Sequence, residues 1–205
     1  MEKFTQLYLV IGFLFFNLAF GYLNHKFRKD EPPLIKKEPS FWILGTIRFL
    51  LLFIWFVVFF LADGYKYKLI SEAYSSNFLP IVKLAGLILY TLGGFLILWA
   101  RSSLGEWFAT RLVTKKGQRV VQEGPYKFVR HPIYVGGTLA LWGLTLALNS
   151  LVTLLILAIP FPIFLYVVSR FEEKLLVSVL KEEYLAYQKR VGRFVPGGKK
   201  SLPTS

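Results

Sequence analysis

Five stretches of this chain, residues 5–23, 41–62, 78–100, 133–148 and 151–169, each carry at most one charged residue. A helix needs about 20 mostly apolar residues to cross the hydrocarbon core of a bilayer, where every backbone N–H and C=O must be satisfied within the segment. The runs therefore predict an all-α integral membrane bundle of about five transmembrane helices. As one helix, residues 133–168 would be about 54 Å long, too long for a single crossing. Asn149-Ser150 supplies the break, which makes the fourth and fifth spans a helical hairpin, with Pro160 and Pro162 as expected kinks in its second arm. The first arm, about 16 residues, is short for a span and also fits a re-entrant hairpin. The first apolar run has a loose small-residue signature at Ala19-Phe20-Gly21, but its basic flank is thin and more apolar runs follow, so it reads as a span rather than a secretory leader.

Composition agrees with this reading. The chain is 55% hydrophobic and 18% aromatic with a formal net charge of +13, too apolar for an ordinary soluble domain. Twenty of the 25 Lys and Arg fall in residues 24–40, 101–132 and 170–205, which a five-span topology places on one side. That side is the cytoplasm and the N-terminus lies outside. Membrane lipids are thus the expected partner of the basic surface, and nucleic acid need not be invoked. Arg48, inside the second run, is either a functional intramembrane charge or a residue that snorkels or pairs within the bundle. With no Cys and two His, neither a thiolate nor an all-histidine metal site is available, and no metal is expected.

The polar chemistry lies in the second half. Residues 1–100 read as N-terminal transmembrane helices, 101–197 as the region bearing the site, and 198–205 as a tail. In Gly124-Pro125-Tyr126-Lys127-Phe128-Val129-Arg130-His131-Pro132-Ile133-Tyr134 a turn is followed by a proline suited to the first turn of the fourth helix. Arg130 and His131 therefore sit at a helix N-terminus, which suits an anionic group of a ligand, or they anchor the chain beside lipid headgroups. Arg170-Phe171-Glu172-Glu173 follows the fifth span on the same side. The hairpin brings this acidic pair next to Arg130 and His131, where it can meet a cationic ligand group. Phe171, Leu175, Leu176, Val179, Leu180, Tyr184, Tyr187 and Val191 then recur at helical spacing, predicting an amphipathic C-terminal helix over 170–191 with Glu182-Glu183 on its solvated face. Rossmann, P-loop, zinc-protease and serine-hydrolase motifs do not occur.

Gly124-Pro125-Tyr126-x-x-x-Arg130-His131-Pro132-x-Tyr134-x-Gly136, then Glu172-Glu173, then Tyr184-x-x-Tyr187-x-x-Arg190-Val191-x-Arg193-Phe194-x-Pro196 resembles the isoprenylcysteine carboxyl methyltransferase family. That family is related to the phospholipid methyltransferases. The resemblance covers roughly residues 84–197. It implies a multi-helix membrane enzyme using S-adenosyl-L-methionine and releasing S-adenosyl-L-homocysteine, with a cytosolic cofactor pocket partly formed by the C-terminal helix. By position, His131, Pro132, Ile133 and Tyr134 would line that pocket, Tyr126 with Gln118, Arg119, Val120 and Val121 would close it, Glu172 would contact the cofactor and Glu173 would support it. Arg130, His131, Glu173 and Arg170 are the candidate catalytic residues.

Two departures bear on the acceptor. Gln118-Arg119-Val120-Val121 stands where the family commonly has His-x-Leu-Val, and Val168 stands where its eukaryotic members place the Arg that holds the substrate carboxylate. Arg170 could substitute only with local unwinding. The reading is methyl transfer to a lipophilic acceptor arriving from the bilayer, most like a prenylcysteine carboxylate, in the plasma membrane of a prokaryote. The alternatives are a phospholipid-type amine methyltransferase, which needs a base such as His131 or Glu173, and a non-enzymatic membrane carrier or assembly factor.

Overall fold

Apolar periodicity and terminator residues together fix where the helices begin and end. The computed structural model describes residues 2–28, 34–37, 78–108, 113–117 and 119–197. Helix α1 spans Glu2–Arg28, α2 Leu79–Leu104, α3 Pro132–Leu148 and α4 Pro160–Arg190. Both α2 and α3 carry a proline in the first turn, where its missing N–H leaves no bond unmade. Gly105, at φ 52°, ends α2, and Asn149, at φ 51°, ends α3. Ser150 then accepts the Thr153 N–H, capping a single helical turn that continues as a π-helix over Leu154–Ala158. The expected break at Asn149-Ser150 is where the chain reverses.

Among the described residues two helices are long and apolar enough to cross a membrane, Lys3–Phe27 and Leu79–Trp107, while Pro132–Leu148 is a shorter apolar helix. The expected second span, 41–62, and Arg48 lie outside the described residues. Side chains on the outer faces of α1 and α2, such as Leu7, Ile11, Leu18, Ile81, Leu84 and Phe95, are exposed, as lipid-facing residues are in the absence of lipid.

Small residues draw α2 and α3 together. A Cβ on Gly93 would lie 2.5 Å from both the Ala140 N and the Gly136 O, and Gly86 and Gly143 meet the facing backbone in the same way. This backbone-to-backbone approach suits a lipid environment, where close packing rather than the hydrophobic effect associates helices. On the other side α1 lays its Phe16 ring edge-on against Tyr90 and Phe95, while the Tyr90 hydroxyl donates to the Leu9 carbonyl. At the opposite end of α2 the buried Arg101 donates to Asn24 Oδ1 and the Leu23 carbonyl of α1, and its guanidinium lies 4.4 Å from the Phe108 ring centroid.

Two sequence expectations are corrected. Pro160 and Pro162 do not kink a helix: Pro160 begins α4 and both stand in its first turn, where a missing N–H is tolerated. The helices expected over 151–169 and 170–191 are not separate, because α4 runs through 169–170 without a break. The break falls instead at Lys181, with φ 45° and ψ −120° inside α4. A short antiparallel ribbon, β1 Leu34–Lys37 against β2 Val113–Lys115, accompanies the helices and leaves the all-α class as expected.

Candidate functional site

Three pieces of chain converge at the start of α3. Gly124, at φ 56°, opens a 3-10 turn over Gly124–Lys127, from which Val129 pairs in parallel with Gly192. The Arg130 N–H donates to the Gly192 carbonyl at 2.8 Å and the His131 N–H to the Arg193 carbonyl at 3.1 Å. These backbone bonds fix Arg130 and His131 against the C-terminal segment. Both side chains then face α4, where Glu172 and Glu173 project.

Glu173 is buried and fully engaged. Its Oε1 accepts from Arg130 Nε at 2.9 Å and from Arg193 Nε and His131 Nε2 at 3.1 Å each, while its Oε2 accepts from Arg193 at 2.6 Å and from Gln188 Nε2 at 3.0 Å. Burial pushes this carboxyl up, but the hydrogen bonds from His131, Arg193 and Arg130 outweigh it and hold Glu173 well below the usual carboxylate range. Glu172 is its opposite: 28% exposed, it accepts a 2.6 Å bond from the Tyr134 hydroxyl and lies 3.5 Å from His131 Nδ1.

His131 thus has a carboxylate at each ring nitrogen. A neutral imidazole carries one N–H and could satisfy only one of them, so the geometry favours the imidazolium. Burial opposes that charge, and the bonds to Glu172 and Glu173 overcome it, raising the pKa above its ordinary value. Tyr134 stacks on the ring, with centroids 5.3 Å apart and planes 10° apart, and Phe194 covers it from the C-terminal segment at 5.8 Å. Because the folded pKa is raised, the stabilisation is complete below about pH 6.5 and is lost as pH rises through the folded value. We expect the thermal midpoint to fall across that window by about 2–4 °C for each kcal/mol lost, and a His131→Gln variant to lack the step.

The surroundings of the cluster are aromatic. Tyr126, Tyr184 and Tyr187 are buried, and burial pushes each phenol well above its ordinary value, so all three are un-ionised. Tyr187 donates to the Tyr126 carbonyl at 2.7 Å, joining the 3-10 turn to the end of α4.

Of the residues singled out from sequence, the structure brings Arg130, His131, Tyr134, Glu172 and Glu173 into one hydrogen-bonded cluster, with buried Pro132 and half-buried Ile133 at the start of α3. Tyr126 packs beneath it. Val120 packs on the Tyr184, Tyr187 and Val191 cluster and donates its N–H to Glu183, so Glu183 is not wholly a solvated face. Val121 is half-buried, and Arg119 is exposed beside Glu123. Gln118 lies outside the described residues. Arg170 is exposed and stands apart from the cluster. Val168 is buried with Leu175 against Tyr134 and Phe164, an apolar position. Sequence reasoning assigned no role to Arg193 or Gln188. Arg193 belongs to a quoted motif, which was a signal, whereas Gln188 had none because only the fold-back at Lys181 brings it to Glu173.

Several known proteins resemble part of this chain. The Cobalt-zinc-cadmium resistance protein CzcN of Cupriavidus metallidurans is 33% identical over 90 residues, 44% of this chain and 41% of that protein. Methanethiol S-methyltransferase of Pseudomonas deceptionensis is 38% identical over 71 residues, 35% of this chain and 26% of that protein. Methanethiol S-methyltransferase 1 of Bradyrhizobium diazoefficiens is 35% identical over 71 residues, 35% of this chain and 24% of that protein. The matches thus span less than half the length of these relatives. The sequence model described as Phospholipid methyltransferase matches residues 81–183, half of the chain, a stretch that holds both His131 with its helix start and the Glu172-Glu173 pair, and the chain belongs to the phospholipid methyltransferase family.

Proposed function

We propose that this protein is an S-adenosylmethionine-dependent membrane methyltransferase acting on a lipophilic acceptor that reaches the site from the bilayer. The observation that carries the reading is the contrast within the acidic pair: Glu173 is saturated by four partner side chains, while Glu172 stays part-exposed and held in place by Tyr134 and His131. A carboxylate presented in this way suits a cationic ligand, and the helix start beside it suits an anionic group of the same molecule. The cofactor has both kinds of charge, so the residues fit it: Glu172, oriented by Tyr134 and His131, would take its cationic end, with the start of α3 near its carboxylate. When bound it would supply an electrophilic methyl group on a sulfonium, which an anionic acceptor takes up without losing a proton as the methyl C–S bond breaks and S-adenosylhomocysteine leaves. The protein's part is then to hold, orient and desolvate.

The acceptor expected from the resemblance is a prenylcysteine carboxylate. A second reading, an uncharged thiol acceptor, is favoured by Val168, because its apolar surroundings occupy the position where a carboxylate-binding Arg was expected, and two of the relatives are named methanethiol S-methyltransferases. An amine acceptor, like the thiol, must give up a proton, and since an imidazolium has no lone pair to take it, the part-exposed Glu172 would be the base in either case. Around this site we place five spans, the N-terminus outside and the C-terminus in the cytoplasm of a prokaryotic plasma membrane.

The test is calorimetric binding of S-adenosylhomocysteine to the detergent-purified protein and to a Glu172→Gln variant, followed by methyl transfer to prenylcysteine, phospholipid-amine and alkyl-thiol acceptors. Micromolar binding that weakens by about 10- to 100-fold in the variant is expected, the range for removing one charge-assisted hydrogen bond. A folded wild type that binds nothing overturns the enzyme reading and favours a carrier or assembly factor.

A further inference from the structure

Gln188 touches Glu173 at 3.0 Å although the two are 15 residues apart on α4. In a straight helix that spacing is about 22 Å, so the end of α4 is folded back on its middle. The reversal is made at Lys181, whose φ of 45° and ψ of −120° are unfavourable for a side chain with a Cβ. Bonds at its far end must hold such a conformation. Arg130 donates to the Gln188 and Val191 carbonyls, the backbone of residues 129–131 pairs with Gly192 and Arg193, and Arg193 takes both oxygens of Glu173.

Arg193 is the outermost of these ties. Its side chain is 25% exposed where those of Glu173 and Arg130 are 5% and 10%. Its guanidinium lies 5.3 Å from the Tyr166 ring centroid, and its neighbour Phe194 covers His131. The fold-back thus forms one wall of the cluster, and the two-pronged Arg193–Glu173 pair joins that wall to α4.

We propose that Arg193 is a positioning residue, clasping Glu173 so that residues 182–197 close over the cluster as a strap hinged at Lys181, and that ligand exchange requires the strap to open. This rests on the cofactor reading for what the strap encloses, whereas the clasp itself is testable without any ligand. A bidentate guanidinium–carboxylate pair is stronger and more directional than a point-charge contact. Its loss should therefore raise the opening frequency of the strap and leave α2 and α3 as they were.

The experiment is hydrogen–deuterium exchange by mass spectrometry on the full chain in lipid nanodiscs, comparing wild type with Arg193→Gln and Arg193→Lys. Faster exchange by about tenfold or more is expected in residues 182–191 of Arg193→Gln, the result of losing a charge-assisted bond that opposes local opening. Arg193→Lys should fall between the two, and α2 and α3 should be unchanged in both. Stopped-flow release of S-adenosylhomocysteine should accelerate in the same order. Unchanged exchange in 182–191, or an equal rise throughout the protein, overturns the clasp. If the exchange pattern holds and the wild type binds no S-adenosylhomocysteine, the cofactor reading falls and the clasp stands. If binding holds and its release rate is the same in all three proteins, opening does not gate exchange and the proposed role of the strap is overturned.

Discussion

Glu173→Gln is expected to destabilise the protein by about 3–5 kcal/mol, the usual consequence of removing one partner from a buried ion pair. Both oxygens of Glu173 face donors only: Arg130, His131 and Arg193 at one, Arg193 and Gln188 at the other. A glutamine amide has an acceptor at one end and a donor at the other, so in either orientation an N–H opposes an N–H. The substitution also leaves the buried Arg130 guanidinium without its counter-charge. For a chain of this size the loss corresponds to a fall of about 6–20 °C in thermal midpoint, readable by circular dichroism in detergent. Glu172→Gln should cost much less while ligand binding weakens: its amide oxygen can still accept from Tyr134, and the amide N–H turned toward His131 Nδ1 meets only a long 3.5 Å contact at a part-exposed position where water can intervene. Equal midpoints for the two variants would show that the division of labour within the acidic pair is wrong.

Gly93→Val should be damaging in another way. The added Cβ would meet the Ala140 N and the Gly136 O of α3 at 2.5 Å and the Ala140 Cα at 2.9 Å. These are backbone atoms of a helix, which cannot rotate aside as a side chain can, so α2 and α3 must separate along their length. That separation forfeits the contacts at Gly86, Gly143 and Ala147 as well. A cost of about 3 kcal/mol, at the upper end of overpacking effects, is expected, with a midpoint lowered by about 6–12 °C. A Gly21→Ala control should be nearly silent, since no atom lies within 4 Å of a Cβ built at Gly21. The start of α3 carries His131, so a spread helix pair should also weaken ligand binding in whatever fraction remains folded.

The apolar runs themselves specified the helices. Residues 5–23 lie within α1, 78–100 map onto α2 with little change and 133–148 onto α3, because a segment of that length and hydrophobicity can satisfy its backbone only as a helix. Proline and asparagine marked the ends of α3 for equally local reasons: Pro132 needs no N–H partner at a helix start, and Asn149 tolerates the left-handed conformation. The proximity of His131 to Glu172 and Glu173 was legible too, since a tight reversal at Asn149-Ser150 returns the chain to the same face.

What α4 does after Phe171 was not legible. The apolar spacing from Leu175 to Val191 continues without interruption, and Lys181 has no turn chemistry that would announce a positive φ. The same prolines that suggested kinks proved to be a helix start, because proline's effect depends on whether a preceding turn exists to clash with. The β1–β2 ribbon joins residues some eighty positions apart, and nothing in either short segment names the other.

The sequence by itself therefore determined the helices, the hairpin and the residue types at the site, all consequences of local backbone satisfaction and helical period. The resemblance already assigned Glu172 to the ligand and Glu173 to its support, but only the tertiary structure supplied the physical reason, with Glu173 surrounded by donors and Glu172 part-exposed. That distinction rests on Arg193 and Gln188 returning to Glu173 across a reversed helix, and a long-range ion pair leaves no period in the chain that forms it.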